Sequence, residues 1–560
     1  MGKNVVELVR RFVAPPDPER MDAPTSSQPD FPALLDRRPH GTRWTFQELV
    51  DQIDGVAHAA RSAGLRPQDR CAVFVDKGPE FVAAVFGLLQ AGVIPVLIDP
   101  GMGVRNVLQC IAEQRPRGLL GIAKAHVLRT MARRAFKSVE VALFVGRQRG
   151  LFPSAHPVLQ PNLPPVPADA RGRVHVPDTG ETAAILYTSG STGAPKGVVY
   201  THEMLIGQTE AIGALFDIKP QEVDVACFLP FGLFSVAMGM TVVFPDMDFR
   251  FPAKADPGKI LAALDGATSA FASPALWEPF SHFVDQRNIA LALRRVLTAG
   301  APVRPELHER LLRHLPHGDV FTPYGATEAL PVALMNGRAV VDETAALTRA
   351  GHGTCVGRPA PGVIVQIIAI SDGAIEDIAD ARMLAAGEPG EIIVRGACVT
   401  RAYDNRPEAN HLSKIRDGQD VWHRMGDVGT LDESGRLWFL GRKAHRVVKA
   451  DGTSLHSIPV EAVAEATWGW PCRAALVGVG NKGDQRAVLL QETGSHRIRF
   501  TEGGRKEVLF RLREAGFNID HYLLYPGFFP VDRRHNAKIE RERLAVWASE
   551  HLHRQSRKAA

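Results

Sequence analysis

The chain reads as an α/β protein: a large N-terminal α/β body with a β-rich subdomain, followed by a small, mobile α+β domain at the C-terminus. Three observations predict this. Short apolar runs recur along the first 300 residues with helix-length segments between them. The fully apolar ones among those runs predict strands covered on both faces of a parallel sheet. The texture then changes near residue 360, to alternating strands punctuated by Gly and Asp, and again near residue 441.

Taken in order, Val5 to Val13 mixes apolar and basic residues and, at nine residues, is expected to pack on the body and not on a membrane. Cys71-Ala72-Val73-Phe74-Val75 is β-rich, Pro79 to Leu89 has helical composition, and Val93 to Ile98 is β-rich again, closing at Asp99-Pro100-Gly101: a βαβ unit. Phe81 to Ile98 has Gln90 as its one polar residue, yet Gly87, Gly92 and Pro95 interrupt it and charges bracket it, so a buried helix turning into a strand is expected, not a membrane span. Leu151 to Pro177 carries seven prolines and little periodicity, which predicts an extended connector laid over the surface. Further strand-like runs are Ala183 to Leu186, Val223 to Leu229, Met240 to Phe244, Ser269 to Phe271 and Arg295 to Leu297. Gly362 to Ile370, Glu391 to Val394 and Arg436 to Leu440 form the β-rich part. Ala474 to Val479, Arg486 to Leu490, Pro459 to Thr467 and Lys506 to Ala515 form the α+β unit, with the boundary placed between 1–441 and 442–560.

Composition narrows the class further. Of 560 residues 45% are hydrophobic and 23% charged, and 66 Lys plus Arg stand against 61 Asp plus Glu, values that exclude disordered and collagen-like chains and leave no electrostatic footprint for nucleic acid. The locally basic end, His551 to Lys558, is expected to fray. Six scattered cysteines without metal-ligand spacing, no signal-peptide pattern and no transmembrane segment together predict a cytoplasmic protein.

The most informative string is Tyr187-Thr188-Ser189-Gly190-Ser191-Thr192-Gly193-Ala194-Pro195-Lys196-Gly197. It follows a buried strand and gathers hydroxyls, glycines and one lysine in a short turn. Such a loop suits triphosphate oxygens: glycines let backbone N–H groups approach, hydroxyls donate, and Lys196 adds a point charge. The common P-loop pattern is absent, because Lys196 follows Pro195 and precedes Gly197. Four other strings stand in order downstream: Thr298-Ala299-Gly300-Ala301-Pro302, Tyr324-Gly325-Ala326-Thr327-Glu328, Gly426-Asp427 with Leu440-Gly441-Arg442, and Ala537-Lys538-Ile539.

Together these strings resemble the adenylate-forming superfamily of acyl-CoA synthetases, nonribosomal-peptide adenylation domains and luciferases, from about residue 40 to 545. The resemblance implies ATP and Mg²⁺ as cofactors. Thr188, Ser189, Gly190, Ser191, Thr192, Gly193 and Lys196 would hold phosphates, and Gly300, Ala301 and Pro302 would lie against adenine. Tyr324 and Gly325 would complete that pocket, with Thr327 on the α-phosphate and Glu328 as the metal ligand. Asp427 would accept the ribose hydroxyls, Arg442 would reach ribose or phosphate at the hinge, and Lys538 would swing in as the catalytic lysine beside Thr188 and Glu328. Members of the superfamily pass the acyl group to a thiol in a second half-reaction. Here the charged hinge residue of the family is Ala444, its acyl-pocket histidine has no counterpart in Pro230-Phe231-Gly232-Leu233-Phe234, and its glycine-rich thiol segment gains His456.

The runs Val93 to Gly103, Leu229 to Met240, Pro323 to Pro331 and Phe529 to Trp547 resemble, more narrowly, the β-lactone synthetases of bacterial long-chain olefin biosynthesis. This implies a small-molecule lipid substrate, a 2-alkyl-3-hydroxy fatty acid, whose own hydroxyl replaces the thiol, and assembly with other enzymes of that pathway. The alternative is a long-chain acyl-CoA or acyl-carrier ligase. Phe231, Phe234 and Met238 are the candidates for the acyl pocket, although the same run would equally fill an ordinary core. His456 is a candidate acceptor for the hydroxyl proton.

Overall fold

The structure, a computed structural model, describes residues 3–13, 30–39, 41–146, 152, 155–160, 166–188, 194–469, 473–494, 501–531 and 538–559, without the side chains of Thr188 and 556–559. The expected phosphate-loop residues Ser189, Gly190, Ser191, Thr192 and Gly193 lie outside the described residues, as does Cys472; the five described cysteines are buried and unbridged.

Two large sheets carry the body. The first runs His156–Val158, Val141–Val145, Gly118–Gly121, Arg70–Phe74, Ile94–Leu97, Thr182–Thr188, Lys196–Thr201, parallel throughout except for the last pair. The second has a parallel centre of Pro32–Asp36, Thr241–Phe244, Val223–Ala226, Ser269–Ala272, Arg295–Thr298 and Asp319–Ala326. It continues antiparallel through Ala329–Asn336, Thr354–Pro359, Leu437–Arg442, Asp420–Leu431, Gly390–Gly396 and Val363–Ile368, the β-rich part expected after residue 360. The central strands are covered on both faces: Arg295–Thr298 and Ser269–Ala272 are buried at every position, with the buried Arg295 paired to Glu222 at 2.6 Å.

Helix Pro79–Ala91 explains the false membrane signal. Proline opens it, eleven of its residues are buried against the body, and Gly92 ends it at φ 78°, a left-handed conformation that glycine adopts without strain. Among the described residues no helix is long and apolar enough to cross a membrane. The N-terminal segment is likewise interior, with Val5, Val6, Val9 and Phe12 buried around the short helix Glu7–Arg10. Its Val5 N–H donates to His202 Nδ1 at 3.3 Å, and burial lowers that imidazole to about 4, keeping it a neutral acceptor.

Three expectations differ from the structure. The connector is not all surface coil, since His156–Val158 adds an edge strand to the first sheet. The run Val223 to Leu229 is a strand only to Ala226; helix Leu229–Ala237 begins where Pro230 fits the first turn. The basic end does not fray: helix Arg541–Ala559 continues through it, because Leu544, Ala548 and Leu552 bury one stripe against the C-terminal strands.

Downstream of Arg442 the described strands pair only among themselves. Val447–Val448 pairs with Ser454–Leu455, and Ala474–Asn481, Asp484–Glu492 and His521–Tyr525 form a three-stranded sheet. Helices Ser457–Trp468 and Glu502–Glu514 cover one face of that sheet and Arg541–Ala559 the other.

Candidate active site

A cleft of about 2320 Å³ opens where the ends of both sheets face the C-terminal segment. Lys196, Gly300, Ala301, Pro302, Tyr324, Gly325, Thr327, Glu328, Asp427, Arg442 and Lys538, eleven residues singled out from the sequence, all line it. Thr188 ends strand Thr182–Thr188 in register with Lys196, which places the start of the glycine-rich turn at the same edge.

Local structure accounts for the positions. Strand Arg295–Thr298 runs into Gly300, whose φ of 99° turns the chain at the cleft wall. Strands Asp319–Ala326 and Ala329–Asn336 form a hairpin, and at Gly325 a Cβ would stand 2.6 Å from Ala329 O, so only glycine permits the tight return that sets Thr327 and Glu328 at its tip.

Polar contacts join three strands at one point. Tyr324 Oη donates to Asp427 Oδ2 at 2.6 Å, and Arg442 Nη1 lies 2.9 Å from Asp427 Oδ1. Asp427 and Arg442 face each other in register on the antiparallel strands Asp420–Leu431 and Leu437–Arg442. Burial raises the Asp427 carboxyl, while the charges of Arg442 and Lys538 hold it toward the ionised form. Arg442 is raised, chiefly by Asp427, and Tyr324 is pushed well up by burial and by that same carboxylate.

The second cluster surrounds Glu328. Its Oε1 accepts from Tyr403 Oη at 2.7 Å, and Tyr200 Oη donates to the neighbouring Thr327 carbonyl. Lys196 Nζ sits 4.8 Å from the Tyr403 ring centroid and Lys414 Nζ 5.6 Å from it, so two cations share one aromatic ring. Burial lowers Lys414 to about 7, against the opposing pull of Glu328, and its ammonium donates to Thr400 O. His423, fully buried beside the Tyr403 ring, is held far below the ordinary histidine range by burial and by Lys414. Tyr200, Tyr403 and Lys414 had no signal in the sequence: each lies outside the glycine-rich strings, and only the fold brings them to Glu328, together with His423 from the string around Gly426-Asp427.

The apolar candidates divide. Phe231 and Phe234 line the cleft, Phe231 packing on Phe271 with ring centroids 4.6 Å apart. Met238 does not line it; its thioether packs toward Gly213 inside the core cluster, because the helix ends at Ala237 and turns it away. His456 precedes helix Ser457–Trp468 and is not among the lining residues, and burial lowers it to about 4.

This fold and cleft define an adenylate-forming enzyme, and the family profile described as AMP-binding enzyme matches residues 22–404. The chain belongs to that family. It is 42% identical over 524 residues to the olefin beta-lactone synthetase of Stenotrophomonas maltophilia (strain K279a), covering 91% of this chain and 92% of that protein. The olefin beta-lactone synthetase of Xanthomonas campestris pv. campestris is 41% identical, with 90% and 91% covered. Among solved structures, the amide bond synthetase McbA from Marinactinospora thermotolerans superposes with a TM-score of 0.75 at 21% identity, covering 97% of this chain and 99% of that one, a likeness of fold.

Proposed function

We propose that this enzyme activates a long-chain 2-alkyl-3-hydroxy acid as its acyl-AMP and closes it to a β-lactone through the acid's own hydroxyl. One observation carries the reading: the cavity lined by Glu328, Asp427 and Lys538 is also lined by the apolar side chains of Phe231 and Phe234. The names of the two relatives more than 40% identical to this chain agree with it.

In the first step the substrate carboxylate oxygen bonds to the α-phosphorus of ATP and the bond to pyrophosphate breaks. Asp427 has two oxygens for the ribose diol, Lys196 and Arg442 offset phosphate charge, and Lys538 stands where charge builds up in the in-line displacement. Glu328 fits a Mg²⁺ ion, with one oxygen steadied by Tyr403 and its carboxylate on the cleft wall. When bound, that ion would neutralise phosphate charge. In the second step the 3-hydroxyl oxygen bonds to the carbonyl carbon, its proton is lost and AMP leaves with the bonding pair; holding the hydroxyl close offsets part of the strain of a four-membered ring.

Residues 1–441 act as the binding body and 442–560 as a lid that brings Lys538 to the nucleotide, with Arg442 at the joint. The test is incubation with ATP, Mg²⁺ and a 2-alkyl-3-hydroxy acid in the absence of CoA. Stoichiometric AMP and a lactone, seen by NMR, are expected; AMP that forms only when CoA is added would mean a thiol ligase. Lys538→Ala should lower pyrophosphate release by about 10²-fold or more.

A further inference from the structure

The apolar hollow is bounded by a helix with two apolar faces. Helix Leu229–Ala237 presents two faces to it. Leu229, Leu233 and Ala237, spaced i, i+4, i+8, pack in one cluster with Val85 and Leu205. Phe228, Phe231 and Phe234, spaced i, i+3, i+6, pack in another with Ile212. Every one of these residues lines the same cavity, so the helix puts two apolar faces on its wall.

Helix His202–Leu215 packs against both faces. Its Leu205 faces the first and Ile212 the second, and between them Gln208 and Thr209 sit buried on the cavity wall. Thr209 Oγ1 is satisfied by Leu205 O at 2.7 Å. Gln208 is 0% exposed; its Nε2 donates to Cys398 O at 3.3 Å, and its Oε1 has no partner. A buried amide oxygen without a donor is unfavourable, and between two apolar faces it marks where a ligand hydroxyl belongs.

We infer that the cavity is a forked site for an acid bearing two long alkyl chains, one in a lobe along each face, with Gln208 accepting a hydrogen bond from the substrate hydroxyl at the fork. The inference rests on the proposed substrate reading and adds the subsites that select it. An unbranched acid fills one lobe and leaves the other empty. Each further methylene buried in the second lobe tightens binding by about fourfold.

The test compares KM for pyrophosphate release by wild type, Leu205→Trp, Ile212→Trp and Gln208→Met. The substrates are 2-alkyl-3-hydroxy acids in which the two chains are shortened one at a time. Leu205→Trp should raise KM at least tenfold for the acid with both chains long and recover when one particular chain is shortened; Ile212→Trp should recover with the other. Should either tryptophan variant fail to fold, Leu205→Ala and Ile212→Ala read the same lobes in reverse, each extending the tolerated length of one chain only. Gln208→Met should raise KM about tenfold for the hydroxy acids and leave it unchanged for 2-alkyl acids without the hydroxyl. Variants that all respond to the same chain, or a wild type that binds an unbranched 3-hydroxy acid of equal carbon number as tightly, overturn the fork alone. Wild-type enzyme that releases no pyrophosphate from any of these acids overturns the substrate reading and the fork with it.

Discussion

Asp224 lies fully buried beneath helix Leu229–Ala237, where its Oδ2 accepts from Ser235 Oγ at 2.8 Å and its Oδ1 has no hydrogen-bond partner. Burial pushes this carboxyl up to about 6. The folded state therefore binds more protons than the unfolded state between about pH 4 and 6, so stability falls as pH rises through that window and the full cost is present above it. Asp224→Asn removes the ionisation. It should stabilise the protein at pH 8 by on the order of 2 kcal/mol, with the gain vanishing toward pH 4, read from urea midpoints across pH. A gain that does not depend on pH would mean that Asp224 is already protonated at pH 8. Residues of the cleft differ in how far the sequence discloses them. Tyr324, Glu328, Asp427 and Arg442 are legible because each stands inside a short glycine-containing string: Gly325 permits the tight return of one hairpin, and Gly426 and Gly441 lie within two paired strands. Tyr403 is not, because it meets Glu328 across 75 residues and nothing local marks it. Gln208 is hidden for a related reason: an orphaned oxygen is a property of packing, and helix His202–Leu215 reads as an ordinary apolar helix.

Helix Phe46–Ser62 shows how much local sequence can determine. Thr45 caps it in a reciprocal box, Glu48 N–H donating to Thr45 Oγ1 at 3.2 Å and Thr45 N–H to Glu48 Oε2 at 2.7 Å. Its inner stripe, including Phe46, Leu49 and Ile53, is buried against the N-terminal helix and Pro79–Ala91. Thr45→Ala should cost about 1 kcal/mol, and Thr45→Ser should recover most of it, measured by chemical unfolding. Equal loss in both variants would show that the methyl group, not the hydroxyl, matters. Strands were legible for the same local reason, since runs such as Ala183 to Leu186 are apolar at every position. Boundaries were less so. The run Val223 to Leu229 stays apolar across the break between strand and helix, and hydrophobicity alone cannot mark where a β-strand ends when both elements are buried. The C-terminal helix was misread for the opposite reason: its basic residues are conspicuous, while the stripe of Leu544, Ala548 and Leu552 that anchors it is sparse.

Ion pairs tie the body to the segment downstream of Arg442. Asp372 on the body takes Arg446 and Lys482, each at 2.8 Å, and Arg304 takes Glu465 at 3.2 Å. Lys482, pairing first, and Arg446 hold the Asp372 carboxyl down at about 2, so the latch stays charged throughout the physiological range. Asp372 and Lys482 are more than half exposed. Exposed pairs contribute about 0.2–1 kcal/mol each, too little to fix a domain but enough to bias several-fold the equilibrium between lid positions that the proposed mechanism requires. The position that they hold is the one with Lys538 close enough to bear on Asp427. Under that proposal, with the uncharged Ala444 next to the joint, these surface pairs carry more of the bias. Asp372→Ala should therefore lower pyrophosphate release about two- to fivefold, without a change in unfolding midpoint and without slowing lactone formation from preformed acyl-AMP. Raising salt from 0.05 to 0.5 M should slow wild type by a similar factor, because it shortens the screening length to a few ångströms. The two effects share one cause, so salt should do little to the variant; a variant slowed by salt as much as wild type would place the latch elsewhere.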